Sequence, residues 1–403
     1  MIVFYSNFIN EHQIPFCKAM YKKTNGEFKF VATQPISEER LAMGFEDQSD
    51  RFPFVLKAFE NKEKRLEALN LGYESEVVIL GDADNAYIEK RLREGKLTFR
   101  YSERFFKEGY WRLLDPRVLL VRYRNDIRYR HKNLYMLCAS AYTAHDCRLI
   151  HAYPDKTYKW GYFPKTIYYA DINEILNKKD PAKIFWCGRF VDFKHGNNIE
   201  KMIELKYHAS ILWVGRLIGF KHPEVAIQVA DKLKQNGYKF ELNMIGEGEK
   251  EANLLKMIKD RKLENCVHLH GFMSPEEVRK WMERAEIYLF TSDRNEGWGA
   301  VLNESMNSAC AVVANEKIGS VPFLIENGVN GYTYNERDSD DLFAKVKQIL
   351  VNEKLRRSMQ KRAYETMSNM WNANTAAERL LKLIECLKKG KETEYFEGPC
   401  SRC

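Results

Sequence analysis

Short apolar runs alternate with amphipathic stretches along this chain, a rhythm that predicts parallel β-sheets flanked by helices. In the first half, strands are expected at Ile2–Tyr5, Phe28–Ala32, Val77–Leu80 and Leu134–Ala139, with helices between them. The second half alternates more cleanly. Strands at Ser210–Val214, Phe240–Ile245, Val267–Leu269 and Ile287–Thr291 are separated by helical patterns at Pro223–Asn236, Glu249–Lys259 and Pro275–Ala285. Such an order reads as a doubly wound domain, which binds ligands beyond the carboxyl ends of its strands. Each of those strands runs into a polar or glycine-bearing loop: Gly215-Arg216, Gly246-Glu247-Gly248, Gly271-Phe272 and Ser292-Asp293. The loops are expected to converge on one site.

One internal repeat breaks the rhythm. Ile184–His195 matches Ile211–His222 at seven of twelve positions, offset by 27 residues. Only the second copy precedes a proline at a helix start and a long amphipathic helix, so the functional strand-loop role is assigned to it. The first copy is expected to serve as linker or extra edge strand.

With 403 residues the chain exceeds one comfortable core and suits two domains of roughly 150–200 residues. The expected division is a first Rossmann-like domain over residues 1–170 and a linker carrying the duplicated segment over 171–209. A second Rossmann-like domain follows over 210–370, and a C-terminal helix and tail over 371–403 is expected to pack back on the first domain. Met1-Ile2-Val3-Phe4-Tyr5 reads as a buried strand instead of a leader, and no apolar run approaches the roughly 18–20 residues of a spanning helix. The nine cysteines, scattered mostly through apolar segments, suit reduced thiols and a cytoplasmic location. Cys400 and Cys403 alone have metal-like spacing, without a second pair nearby.

Charge adds a local feature. Between Ile88 and Lys132 there are 14 Lys and Arg against 6 Asp and Glu, an excess equal to the whole chain's net +8, with Trp111, Tyr123 and other aromatics interleaved. That mixture suits an anionic membrane surface or phosphate-bearing ligands, and equally an ordinary solvated face. Nucleic-acid binding is a rival of a different class, but no recognised binding motif accompanies the charge.

The second half also holds the groups needed to grip a diphosphate. Arg216 and Lys221 flank a loop after a strand, where a guanidinium fork and an ammonium can neutralise a departing diphosphate. Gly297-Trp298-Gly299-Ala300 is expected to open a helix whose first N–H groups face an anion. Glu296 lies just before that helix and Glu304 within it. A carboxylate can accept two hydroxyl hydrogen bonds, which suits Glu304 to a ribose diol and Glu296 to sugar hydroxyls.

On these residues, the segment from Ile211 to about Leu350 resembles the donor domain of retaining glycosyltransferases of family 4, whose signature of two glutamates eight apart reads here as Glu296 and Glu304. The resemblance implies the GT-B fold, an α/β architecture of two Rossmann-like doubly wound parallel-sheet domains facing a cleft. It implies phosphate contacts at Gly215, Arg216 and Lys221, a strand-ending turn at Gly246, Glu247 and Gly248, and a base-facing loop at Phe272 and Met273. Further donor contacts fall at Gly297, Trp298, Gly299, Ala300 and Glu304, with Glu296, Arg216 and Lys221 carrying catalysis.

The implied activity is metal-independent transfer of a sugar, with retention, from a UDP- or GDP-linked donor. The acceptor would be a glycan or a polyprenyl-diphosphate-linked molecule in bacterial surface polysaccharide synthesis. No cofactor or nucleic-acid partner is implied, and the basic first domain is expected to touch the inner membrane peripherally. A sugar-nucleotide epimerase or hydrolase of the same fold is the alternative.

The pattern departs from the family in three places. Gly319-Ser320-Val321-Pro322-Phe323-Leu324 lacks a usual acidic contact. The loop Ser6–Pro15 lacks the usual glycine pair, which leaves Asn7 and His12 as acceptor-side candidates. Tyr101-Ser102-Glu103-Arg104 stands where related enzymes present a histidine, so Glu103 and Arg104 join them. Asp82 and Asp84 are assigned a substrate-contact or structural role, and His131 and His145 remain weaker candidates.

Overall fold

The structure, a computed structural model, describes residues 1–38, 46–179, 209–336 and 338–403. The first repeat copy, Ile184–His195, lies outside the described residues. The chain forms two compact units, one of residues 1–165 with 370–403 and the other of residues 166–369.

The first unit is built on a seven-stranded sheet of β1 (Ile2–Ser6), β2 (Phe28–Ala32), β3 (Val55–Lys57), β4 (Val77–Leu80), β5 (Thr98–Ser102), β6 (Leu134–Cys138) and β7 (Thr157–Lys159). Their order is β3-β2-β1-β4-β5-β6-β7, and every pairing is parallel. A sheet covered on both faces needs unbroken apolar strands, and β1 and β4 are buried at every position. Strands β3 and β7, which the hydrophobic pattern does not announce, are three-residue edges.

The helix Ala373–Lys388 packs against the helix Ile14–Lys23, burying Ala376, Leu380, Leu383 and Ile384 as one stripe. Beyond it, residues 400–403 extend the β7 edge: Lys159 N–H donates to Ser401 O at 2.8 Å, and Tyr158 bridges Arg402 antiparallel. Cys400 is thereby buried while Cys403 is exposed.

The second unit carries β8 (Ala209–Val214), β9 (Phe240–Ile245), β10 (Val267–Leu269), β11 (Ile287–Phe290), β12 (Ala311–Asn315) and β13 (Tyr332–Tyr334). The order is β10-β9-β8-β11-β12-β13, again all parallel. Strand order reverses between β8 and β11, and that reversal opens a crevice at their carboxyl ends.

This unit starts earlier than the expected boundary. Residues from Thr166 belong to it, and the stretch expected to begin a linker at 171 forms a helix, Ile172–Lys178, inside it. Lys179 then lies buried, donating to Met282 O at 2.9 Å and Ala285 O at 2.6 Å. These carbonyls close the helix Pro275–Arg284, where a cation is favoured by the helix dipole. Burial holds the Lys179 ammonium below its usual range.

Candidate functional site

The loops that leave β8 and β11 meet at the crevice of the second unit. After β8 the chain passes Gly215, Arg216 and a short turn at Gly219–Lys221 before the helix Pro223–Gln235 begins. After β11 it runs through Thr291 to Glu296. Thr291 binds the two together: its Oγ1 donates to Lys221 O at 2.7 Å and accepts from Trp213 Nε1 at 2.9 Å. Asp293 N–H adds a bond to Phe220 O at 2.9 Å.

This stitching sets Lys221 Nζ in an ion pair with the Glu296 carboxylate, both largely sheltered from solvent. Arg216 is exposed, and its guanidinium pairs with no carboxylate among the described residues. Among the described residues the site therefore holds one cation balanced by a carboxylate and one that is not.

The neighbouring loops lock to the same frame. Leu217 N–H donates to Glu247 O at 2.8 Å, Lys250 N–H to Leu217 O at 2.9 Å, and Gly246 N–H to Gly271 O at 2.8 Å. Gly246 has φ +135°, and a Cβ there would stand 1.9 Å from Gly215 O, so only glycine lets these two loops touch. Glu247 accepts from Phe272 N–H at 3.1 Å, which leaves the Phe272 ring 58% exposed as an apolar platform beside Met273.

On the far side, Gly299, at φ +79°, leaves room for the Phe290 ring, 2.4 Å from where its Cβ would be. The helix that follows, Val301–Asn307, has only seven residues and no side-chain cap. It carries Glu304, which raises the pKa of the buried Tyr288 after burial has already done so. Gly297, Ala300 and Trp298 are buried.

Trp298 differs from the role expected of it. Its side chain is wholly enclosed, with Nε1 donating to Asn303 Oδ1 at 2.8 Å. Among the donor-loop residues it is therefore a post that seats the turn.

One group escaped sequence reasoning. His222, at φ +48° ahead of the helix Pro223–Gln235, places Nε2 3.1 Å from Asp293 Oδ2 and Nδ1 3.1 Å from Glu224 Oε1. Hydrogen bonds to Asp293 and then Glu224 push the imidazole up to about 9, so it is an imidazolium at neutral pH. Burial opposes ionisation of Glu224, yet its bonds to His222 and Lys250 bring it down to about 2. The available signal was a histidine directly before the helix-opening Pro223, with a carboxylate two residues on.

In the first unit the four acceptor-side candidates do not form one cluster. Asn7 lies at the matching crevice between β1 and β4, with Nδ2 donating to Asp82 Oδ2 at 2.9 Å, and Asp84 caps the turn Asn85–Tyr87. His12 stacks on Tyr162 at 6.0 Å between ring centres. Glu103 accepts from the Tyr162 hydroxyl at 2.6 Å and pairs with Lys107. Tyr162 thus joins His12 and Glu103.

Arg104 turns away from Glu103. It is largely buried, 3.5 Å from Asp146 Oδ1, with the Tyr110 hydroxyl 3.2 Å from its Nη2. That commitment to Asp146 sets Arg104 apart from the other acceptor-side candidates. His145 lies 3.3 Å from the same Tyr110 hydroxyl, and His131 accepts from Arg130.

Comparison with known proteins bears on this geometry. The family described as glycosyl transferases group 1 matches residues 197–366. The amylovoran biosynthesis glycosyltransferase AmsK of Erwinia amylovora is 39% identical over 125 residues, 30% of either chain. The N-acetylgalactosamine-N,N'-diacetylbacillosaminyl-diphospho-undecaprenol 4-alpha-N-acetylgalactosaminyltransferase of Campylobacter jejuni is 31% identical over 143 residues, 36% of this chain and 38% of that one. The crystal structure of Anabaena Alr3699/HepE in complex with UDP overlays with a TM-score of 0.66 at 14% identity, covering 95% of this chain and 99% of that one. The overlay establishes the expected fold class, two Rossmann-like parallel-sheet domains of the GT-B type. The sequence matches themselves span about a third of the length of the curated relatives.

Proposed function

We propose that this chain is a retaining glycosyltransferase acting on a UDP- or GDP-linked sugar, a reading supported by the match of residues 197–366 to the family of glycosyl transferases group 1 and by the GT-B fold. The acceptor in this reading is a glycan or a polyprenyl-diphosphate-linked sugar, and the setting is the cytoplasmic side of bacterial surface polysaccharide synthesis. Similarity to AmsK and to a diphospho-undecaprenol glycosyltransferase supports both choices.

The carrying observation is the Lys221–Glu296 pair with exposed Arg216 on the adjoining loop, at the reversal between β8 and β11. In the proposed mechanism the donor diphosphate draws Arg216 and Lys221 to itself, and charge that builds as the sugar–phosphate bond breaks is stabilised there. Glu296 holds hydroxyls of the transferred sugar and Glu304 the ribose diol. Phe272 and Met273 flank the base, while Gly215, Gly246, Glu247 and Gly248 shape the wall around the diphosphate. The acceptor hydroxyl attacks the face the phosphate leaves and passes its proton to that phosphate. With two cations in place, no metal is assigned to the leaving group.

The test begins with thermal shifts against UDP, GDP and their sugars, since a bound ligand stabilises the fold by mass action. Transfer is then followed with the stabilising donor, in the presence and absence of EDTA, with the product's anomeric configuration read by NMR. An inverted product, or loss of turnover in EDTA restored by a divalent cation, overturns the mechanism. Release of free sugar or an epimer with every acceptor offered overturns transfer itself.

A further inference from the structure

The residues between β11 and Glu296 form no helix or strand, and Asp293 sets their shape. Its Oδ1 accepts from Asn295 N–H at 2.8 Å and from Asn295 Nδ2 at 2.9 Å, and its carbonyl accepts from Glu296 N–H at 3.0 Å. Glu296 therefore stands where Asp293 puts it, and an Asx turn of this kind is only as fixed as its carboxylate. The other oxygen, Oδ2, is taken by His222 Nε2, the one cation paired with Asp293 among the described residues.

His222 is held from its other side as well. Nδ1 meets Glu224, which Lys250 pairs in turn, and the two carboxylates, Asp293 first and Glu224 second, keep the imidazole protonated at neutral pH. Lys221 and Glu296, on the same two loops, complete the set, so that three cations face three carboxylates. Arg216 is then the surplus charge among these side chains. Without the imidazolium the set carries one negative charge, which opposes Arg216, and Asp293, only 17% exposed, is left without its cation.

We propose that His222 is a positioning residue of the site at the β8–β11 reversal: through Asp293 it fixes the loop carrying Glu296 opposite Lys221, and it keeps the Asp293 carboxylate from opposing a bound diphosphate. Both ring nitrogens are engaged, so His222 acts through Asp293 and not on the ligand. The identity of that ligand rests on the function proposed above; the dependence of the loop on His222 does not.

Two measurements on the full chain test this. The first needs no ligand: deuterium exchange at the amides of Asp293, Asn295 and Glu296 is compared at neutral pH between wild type and His222→Asn, whose side chain suits the left-handed backbone. Exchange about tenfold faster is expected in the variant, the lower end for a bond between charged groups because the imidazole is 37% exposed, while β9 exchanges alike in both. The second is calorimetric titration with UDP and with GDP. Wild-type affinity should fall severalfold between about pH 7 and 9.5 as the imidazolium titrates, whereas His222→Asn should bind about tenfold more weakly at neutral pH and lose little more. Adding Asp293→Asn to His222→Asn should restore most of the affinity by removing the carboxylate that the imidazolium offsets; a purely structural histidine gives losses that add. Unchanged exchange in His222→Asn overturns the proposal whether or not a nucleotide binds, and so does exchange that rises equally in β9. Nucleotide affinity untouched by His222→Asn, or losses that add in the double variant, also overturn it. Faster exchange at the three amides in a chain that binds neither nucleotide upholds the positioning of the loop and overturns the nucleotide reading instead.

Discussion

His222 Nε2 lies 3.1 Å from Asp293 Oδ2, and this contact joins the start of the helix Pro223–Gln235 to the loop that carries Glu296. The second nitrogen binds Glu224, which also accepts from Lys250 at 2.8 Å, so four groups of alternating charge brace the crevice from below.

A histidine raised above its unfolded value stabilises the fold fully below the unfolded pKa, near 6.5, and stops doing so as pH climbs through the folded value, about 9 here. Glu224 and Asp293, both depressed, act with the opposite sign: their contribution is present above about pH 4.5 and fades on acidification, toward pH 2 for Glu224. The expected profile is a plateau near pH 5–6.5 with a decline between about pH 7 and 9. His222→Asn, which tolerates the left-handed backbone, should remove the alkaline decline. Melting temperature against pH for both proteins measures it, and an unchanged alkaline slope refutes the assignment.

Arg216→Ala is expected to lower kcat/KM for transfer by about a hundredfold or more, the scale for removing one donor to a developing charge. Glu296→Gln should lose a comparable amount while the melting temperature stays near wild type. Steady-state kinetics with the donor found by thermal shift provide the check, and wild-type rates in either variant would sink the site.

Gly246→Ala should destabilise the second unit by about 2–4 kcal/mol, since it combines a positive φ with a clash against the Gly215 carbonyl. Gly219→Ala is the matched control. Nothing lies within 4 Å of its Cβ position, and a change within about 0.5 kcal/mol is expected from urea titration.

Trp298→Phe removes the donor to Asn303 in a closed pocket, and a loss of about 1–3 kcal/mol is expected. Because the indole does not reach solvent, donor affinity should fall far less than in Arg216→Ala. Calorimetric titration of the nucleotide separates the two roles.

The hydrophobic pattern was enough for β1, β2, β4, β6 and β8–β11, because buried parallel strands read as continuous apolar runs. It was silent for β3, β7 and β13, where three residues at or near a sheet edge carry too little apolar character to stand out. Within the site, glycine spacing and charge were legible at Arg216, Lys221 and Glu296. What spacing cannot say is which side of a turn faces inward, and so Trp298 reads as a contact until its burial is seen. His222 depends on Asp293, 71 residues away, and Arg104 on Asp146, 42 away, pairings that only the fold makes.

The return of residues 370–403 to the first unit also orders events in time. Residues 166–369 are contiguous, and every strand of their sheet is available once that stretch has emerged from the ribosome. The first unit has no such independence. Its β1 is made before that stretch, yet the helix that covers Ile14–Lys23 and the residues that line β7 are made only after it. Until they arrive, the apolar face of the helix Ile14–Lys23 and the β7 edge stay open, and it is there that a nascent chain of this protein would most need a chaperone.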